Sequence, residues 1–375
     1  MINPKELFGK DYSEFSEVDP FNPQNEVSGY ISRKPTELYG ALIITKVNGE
    51  DVTPQLIYAT PKMHYPFGVS DDGVRHYNFP VAKSIEIYEK LDGTNILSFF
   101  YNDGDTRFLS YKTRLRPFLS SGKFGNFLDM WREVASSYFV EIEREMHRSG
   151  CNLSFELFGS RNPHLVIYSN PLSFALLFGV TENGNILSPT RLRNPDLPVV
   201  NKIGIIDRDF TTQYEALQKD LESKLVKLED EYYQGMEGAV WYLHAIDGRT
   251  IQLKCKPETI ETIHFSAGAS GLSRNIIVAT CWNAFENTDK ITIELVKQLL
   301  SEEFDQAVIE AHHYLIERCM AEVTEQAEFR GKVLAEYNAL GMNIVLNKSE
   351  VMRALSEKFP KNMMKKVYSV IVGNG

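Results

Sequence analysis

The residues with the most chemical potential are Lys90-Leu91-Asp92-Gly93-Thr94-Asn95, which close an alternating apolar run, Ile85-Glu86-Ile87-Tyr88-Glu89. Asp-Gly after a strand also reads as a tight hairpin turn, so the segment has a purely structural reading. Three further segments place charge where it is costly unless used. Ser154-Phe155-Glu156-Leu157-Phe158 sets a carboxylate inside an apolar strand, and Gly235-Met236-Glu237-Gly238-Ala239-Val240 sets another at a strand start. Gln252-Leu253-Lys254-Cys255-Lys256 puts two lysines on one face, because alternate strand residues point the same way. Each segment alone fits a solvated edge. One chemistry uses all of them. An unprotonated lysine amine attacks the α-phosphate of a nucleoside triphosphate and becomes a lysyl–nucleotide adduct. Carboxylates then hold a divalent metal against the triphosphate, and lysines stabilise the charge building on the α-phosphate.

Such a site needs strands to hold it. Strand patterns run from Glu37 to Ile44 and from Gln55 to Ala59, with Asn48-Gly49 as the hairpin turn between them. More follow at Ile85–Tyr88, Ile96–Tyr101, Arg107–Tyr111, Leu153–Phe158, Phe174–Phe178, Ala239–Leu243 and Ile251–Cys255. A helix is expected from about Phe124 to Arg148, closed by Gly150. Thr212-Gln213-Tyr214-Glu215 fits a capping box opening a second helix that Gly235 would end. The first thirty or so residues, rich in Pro, Asn, Asp and Glu, read as loosely structured. After about Ser270 the texture turns helical, with an apolar stripe of Leu295, Val296, Leu299, Leu300, Phe304 and Val308. One more helix is expected from Asn347-Lys348-Ser349-Glu350 and stops before Pro360.

The 375 residues, 43% hydrophobic and 24% charged, suffice for two or three domains with a real core. No apolar stretch is long enough to span a bilayer, and Met1-Ile2-Asn3-Pro4-Lys5-Glu6 lacks the form of a secretion signal. Cys151, Cys255, Cys281 and Cys319 lie scattered without metal-like pairing, so reduced thiols in a cytoplasm-like compartment are expected. A formal net charge of −10 argues against a protein that coats nucleic acid indiscriminately, yet allows a local basic groove. Lys112, Arg114 and Arg116 cluster, as do Lys254 and Lys256, and later Lys361, Lys365 and Lys366.

In order and content these segments resemble the covalent nucleotidyltransferase superfamily of ATP-dependent polynucleotide ligases and mRNA capping enzymes. The resemblance covers about residues 37 to 260. It implies an α+β fold: an antiparallel-sheet nucleotidyltransferase domain of ligase or capping type, followed by an all-helical C-terminal domain. Its domains would be a strand-rich extension over residues 1–75, an adenylyltransferase domain over 76–268 and a helical domain over 269–375. It makes Lys90 the adenylated nucleophile, with Glu89, Asp92 and Gly93 completing the nucleotide-binding signature. Arg114 in Ser110-Tyr111-Lys112-Thr113-Arg114 matches the basic residue that binds ribose and phosphate, with Arg116 as the alternative. Glu156 would bind the ribose, Phe178 in Leu176-Leu177-Phe178-Gly179 would stack on the base, and Glu237 would serve a Mg2+ or Mn2+ ion. Lys254 and Lys256 would act catalytically on the α-phosphate while binding the nucleotide.

The helical tail, the Lys254-x-Lys256 pair and the strand-rich upstream segment resemble phage-type RNA ligases. Glu37-Leu38-Tyr39-Gly40 and Thr60-Pro61-Lys62-Met63-His64-Tyr65-Pro66-Phe67 look like the upstream segments of their tRNA-repairing branch. Where that branch carries two basic residues for the outer ATP phosphates, this chain has Tyr39 and His64, leaving Lys62 or Arg75 for that grip. The implied activity joins 5′-phosphate and 3′-hydroxyl RNA ends with ATP, in the cytoplasm, or in a host cytoplasm if the chain is phage-encoded. An end-healing kinase or phosphatase is a compatible partner. The rivals are a DNA ligase, a GTP-using capping enzyme, and a catalytically inactive module that binds RNA ends.

Overall fold

Two strands fill the N-terminal stretch that composition alone reads as loose. After α1 (Pro4–Phe8), β1 (Tyr12–Val18) and β2 (Glu26–Ser32) run antiparallel, and β2 pairs onward with β3 (Leu42–Val47), itself paired with β4 (Glu50–Ile57). The expectation fails because alternation of buried Val27 and Ile31 lies hidden among polar neighbours and acts only once β3 covers it. The β3–β4 hairpin turns at Asn48 and Gly49, both at positive φ (55° and 83°), as a two-residue turn demands. The expected strand start at Glu37 is instead a turn, and the strand begins at Leu42.

The chain of this computed structural model continues through β5 (Phe67–Val69), β6 (Arg75–Tyr77), β7 (Ala82–Lys90), β8 (Thr94–Asp103) and β9 (Thr106–Lys112). Then come α2 (Phe127–Ala135), α3 (Phe139–Ser149), β10 (Cys151–Phe158), β11 (Ser173–Thr181), β12 (Ile186–Leu187) and β13 (Lys202–Ile206). Next are α4 (Phe210–Ser223), β14 (Val226–Lys227), β15 (Tyr233–Gln234), β16 (Gly238–Ala245) and β17 (Thr250–Cys255). The remainder is α5 (Glu258–Phe265), α6 (Arg274–Asn287), α7 (Ile293–Leu300), α8 (Gln306–Ala311), α9 (His313–Ala339), α10 (Lys348–Leu355) and α11 (Met364–Ile371). The structure describes residues 2–372 apart from 35, 71–73, 121–126, 163, 165, 193–195, 229–232, 266–271, 273, 302, 303, 305, 343, 345 and 346. The first residues of the helix expected from Phe124, and the expected boundary at 268/269, lie outside those described.

The protein mixes helix (36%) and strand (33%). A larger compact unit covers residues 1–120, 128–168 and 172–263, and a smaller one is formed mainly by 264–375. The larger unit holds three principal sheets, in the orders β1-β2-β3-β4, β12-β11-β10-β8-β9 and β13-β7-β16-β17, and their ladders are antiparallel. Tyr88, Leu97, Ala175, Phe178, Val180, Val240 and Tyr242 form a core between the second and third sheets. The opposite face of the third sheet buries Ile85, Ile87, Trp241, Leu243, Leu253 and Cys255 against Tyr214 and Leu221 of α4.

Two helix expectations change. The helix expected to reach Arg148 is broken by a 3-10 turn at Ser136–Tyr138 into α2 and α3, with Gly150 closing α3 in the left-handed conformation. Helix α4 starts at Phe210, before the expected box, with Asp209 making no side-chain cap, and it ends at Ser223 rather than near Gly235. The chain beyond the helix forms a two-strand pairing instead, Val226 and Lys227 with Gln234 and Tyr233.

Among the described residues the smaller unit is helical. Thr292 caps α7 through its side chain, and Val296 and Leu300 of the expected stripe are buried. Asn347 precedes α10 as expected, and Val333, Val351, Leu355, Phe359, Val367 and Val370 share a core. No helix among the described residues is long and apolar enough to cross a membrane. All four cysteines are free and buried.

Candidate nucleotidyl-transfer site

The site forms because three adjacent strands of the third sheet end together. In the ladders Lys90 lies opposite Gly238, and Ala239 lies opposite Cys255. Lys90 at the end of β7, Glu237 just before β16 and Lys256 just after β17 therefore meet, although up to 166 positions separate them in the chain (256 − 90). The Lys90 ammonium donates to Glu237 Oε2, while Lys256 Nζ lies 3.0 Å from Glu237 Oε1. Burial alone would push the Glu237 carboxyl up, but the flanking Lys90 and Lys256 ammoniums overcome it and hold the group down at about 2.

Topology rules out the hairpin reading of Asp92-Gly93. Strands β7 and β8 adjoin in the chain but belong to different sheets, so the turn is a crossover beside the carboxylate. The Val166 N–H donates to Asp92 Oδ2 (2.7 Å), and the Asp92 N–H donates to the Tyr168 hydroxyl (2.8 Å). Burial, and then the negative charge of Glu237, push the Asp92 carboxyl up. Here Asp92 ties the loop after Lys90 to the 166–168 segment. Gly93 is required by close approach: a Cβ there would lie 2.2 Å from the Leu157 carbonyl oxygen. Gly93→Ala is expected to force that crossover off β10, costing about 1–3 kcal/mol of stability in a urea titration.

The paired lysines separate in role. Lys256 serves Glu237, whereas Lys254 Nζ lies over the Tyr65 ring, 4.4 Å from its centroid. The Lys254 N–H also donates to the His64 carbonyl (2.9 Å). Burial lowers the His64 pKa, and the charges of Lys62 and Lys254 lower it further, so three basic side chains crowd this rim. Arg75, by contrast, is committed elsewhere. It pairs with Glu261 Oε1 (2.8 Å) and donates to Gln218 Oε1 (2.8 Å), so it is not the spare cation expected for the outer phosphates.

Glu156 is nearly buried on β10, opposite Asn95 of β8. Burial pushes the Tyr168 phenol up, the hydrogen bond from the Asp92 N–H opposes it, and the charges of Asp92, Glu237 and Glu156 add to the push. Tyr168 escaped sequence reasoning, having no charge and no motif to mark it. Phe178 is only 2% exposed and meets Tyr242 at 6.4 Å between centroids, so its ring has no open face for a base in this state. Glu89 also stands apart, its carboxylate accepting from Asn201 Nδ2 (3.0 Å). Arg116 Nη1 donates to Ser120 Oγ (2.6 Å).

Arg114 lies over the Tyr39 ring at 5.6 Å, and its backbone is pinned by Lys112. Lys112, fully buried, donates to the carbonyls of Gly40 (3.0 Å), Thr113 (2.8 Å) and Arg114 (3.0 Å). Burial, then the charges of Arg33 and Arg114, put its pKa well below the ordinary lysine value. Lys112→Met leaves three carbonyls without this donor, at about 1–3 kcal/mol each, and recovers part of the cost of a buried ammonium. A net loss of about 2 kcal/mol in chemical denaturation is the expected outcome.

Among the described residues no cluster of three or more His, Cys, Asp or Glu could hold a metal alone. Magnesium is commonly held by one or two carboxylates together with substrate phosphates. The buried, ionised Glu237 fits that pattern once one of its lysine partners yields an oxygen.

No protein-family model matches the chain, and no curated protein matches it. Among solved structures, two forms of an archaeal ATP-dependent RNA ligase are similar at 13% and 12% identity and TM-score 0.45, covering 99% of this chain and 95% of that one. A Naegleria gruberi RNA ligase with PPi is similar at 11% identity and TM-score 0.34, over 68% of this chain and 98% of that one. A mutant of that ligase, solved with ATP and Mn, is similar at 13% identity and TM-score 0.31, over 48% and 52%.

Proposed function

We propose that the chain is an ATP-dependent RNA ligase that joins 5′-phosphate and 3′-hydroxyl ends through lysyl-AMP and adenylated-RNA intermediates. The observation that carries this reading is the buried Glu237 carboxylate held between the Lys90 and Lys256 ammoniums. In the first step Lys90 Nζ, once deprotonated, bonds to the α-phosphorus of ATP while the bond to pyrophosphate breaks. Lys254 and Lys256 stabilise the charge on the α-phosphate oxygens, a contact worth most in the transition state. Glu237 is the residue that would hold Mg2+ or Mn2+; bound there, the ion neutralises the triphosphate and by like-charge repulsion favours the neutral amine of Lys90.

Glu156 and Arg114 serve the ribose and phosphate, and Asp92 and Gly93 fix the nucleophile loop. Phe178 receives the base after local opening of its packing, and Glu89 contributes to nucleotide binding beside Lys90. In the second step a 5′-phosphate oxygen of RNA attacks the adenylate phosphorus and frees Lys90. A 3′-hydroxyl then attacks the activated 5′-phosphate and AMP departs. These later steps need alignment and charge stabilisation rather than a new nucleophile. Residues 76–268 supply the chemistry, with 1–75 as an extension and 269–375 as the domain that chooses among RNA ends.

Intact mass after incubation with magnesium and ATP or GTP tests the reading. A gain of one AMP from ATP alone, lost on adding 5′-phosphorylated RNA, is expected. A GMP adduct would indicate a capping enzyme, and discharge only to nicked DNA a DNA ligase. No adduct in folded protein that is not already adenylated would leave the inactive binding module.

A further inference from the structure

Strand β17 is an edge strand of its sheet, with Lys254 on it and Lys256 just past its end. Val240 faces Lys254 across the β16–β17 ladder, while the Lys254 N–H and carbonyl bond on the other side of β17. The N–H reaches His64, and the carbonyl accepts from the Tyr214 hydroxyl at 3.0 Å. Two residues on, the Lys256 carbonyl accepts from Gln218 Nε2 at 2.9 Å. Tyr214 and Gln218 sit one turn apart on α4, so their Cα atoms are separated by about 6 Å along the helix axis. Alternate carbonyls along a strand are spaced by nearly the same distance, about 6.6 Å. The helix thus offers two donors at the repeat of the strand.

The Gln218 amide is oriented by its own partners. Its Oε1 accepts from Arg75 Nη1, and its Nε2 donates to Glu261 as well as to Lys256. Only an amide with its oxygen toward the guanidinium satisfies all three. Arg75 and Glu261 close the ring with their own ion pair at 2.8 Å. Tyr214, with no exposed surface, is locked by Phe67, Tyr77, Phe79 and Trp241.

We infer that Tyr214 and Gln218 are positioning residues for the nucleotidyl-transfer step, holding the main chain of Lys254 and Lys256 so that both ammoniums are placed before the triphosphate arrives. The inference rests on the ligase reading above. Each acts through a lysine whose carbonyl it holds. A displacement of about 1 Å can cost on the order of a hundredfold in rate, so loss of one anchor is expected to cost about tenfold.

The test is the rate of AMP-adduct formation with ATP and magnesium for wild type, Tyr214→Phe and Gln218→Met, beside thermal midpoints. Each variant is expected to react about tenfold more slowly at saturating ATP, with the KM for ATP within about a factor of two. Adding Gln218→Met to Lys256→Ala is expected to slow it by less than about twofold, because the residue acts through Lys256. Wild-type rates in both folded variants, or equal losses with and without Lys256, would overturn the inference while leaving the ligase reading intact. A rate loss that disappears on cooling below a lowered thermal midpoint would do the same, since it reports stability alone. Absence of any adduct in wild type would instead remove the ligase reading and this inference with it.

Discussion

Lys90→Ala protein incubated with ATP and magnesium is expected to gain no mass, its adduct rate falling below about one thousandth of wild type. In the proposed reaction the Lys90 nitrogen is the atom that bonds to phosphorus, so no neighbouring group can replace it. Lys254 sits over Tyr65 and Lys256 against Glu237, and neither lies at the end of the crossover that Asp92 and Gly93 fix. Lys90→Arg is expected to fail as well, because a guanidinium stays protonated at any pH the fold tolerates. The side chain of Lys90 is 19% exposed, and Glu237 keeps Lys256 as its counter-charge, so the thermal midpoint should move by no more than about 4 °C. A Lys90→Ala protein that still accumulated adduct would end the assignment of the nucleophile.

The largest combined effect is expected from Glu237→Gln. The substitution leaves two ammoniums facing each other at a buried site without their shared carboxylate. Breaking a buried ion pair from one side commonly costs about 3–5 kcal/mol, and about 3 kcal/mol is expected here in chemical denaturation. Adduct formation should fall by at least about a hundredfold, because the proposed reaction uses this carboxylate to hold the metal. The pH dependence has a definite sign. A carboxyl depressed on folding contributes stability that is whole above its unfolded value, about 4.3. That contribution is lost as pH falls toward the folded value of about 2. Wild type should therefore lose stability in acid more steeply than Glu237→Gln. Glu86 is also held at about 2, by Lys202, Thr190 and His244 against burial, but it is common to both proteins and cancels in the difference. Parallel acid curves for the two proteins would remove Glu237 from its role as shared counter-ion.

Much of the site was readable because its residues break local rules. A glutamate in an apolar strand, another at a strand start, and two lysines on one strand face are each expensive placements, visible without coordinates. The structure brings Lys90, Glu237 and Lys256 together, with Lys254 and Glu156 nearby. Arg75 was misjudged because charge is legible in a sequence and commitment is not. Its partners, Gln218 and Glu261, lie 143 and 186 positions away (218 − 75 and 261 − 75). The resemblance assigns Phe178 to the base by its matched segment, whereas its burial within the inter-sheet core depends on which strands face it. Tyr168, Tyr214 and Gln218 were missed because neutral side chains leave no signature until a distant backbone group needs a donor or acceptor.

By itself the sequence determined the element types wherever periodicity was strong, the hairpin at Asn48-Gly49, the helical C-terminal part, and which charged residues needed an explanation. Local propensity and alternation act over a few residues, and those features are written at that range. Only the tertiary structure decided that Asp92-Gly93 crosses between sheets, that β13 joins β7, and that a shared strand end gathers three distant residues onto one carboxylate. Strand order and register arise from non-local pairing, in which the burial of one face selects among many partners. The ionisation of Glu237 follows from that selection, since two ammoniums reach it only when the registers of β7, β16 and β17 coincide.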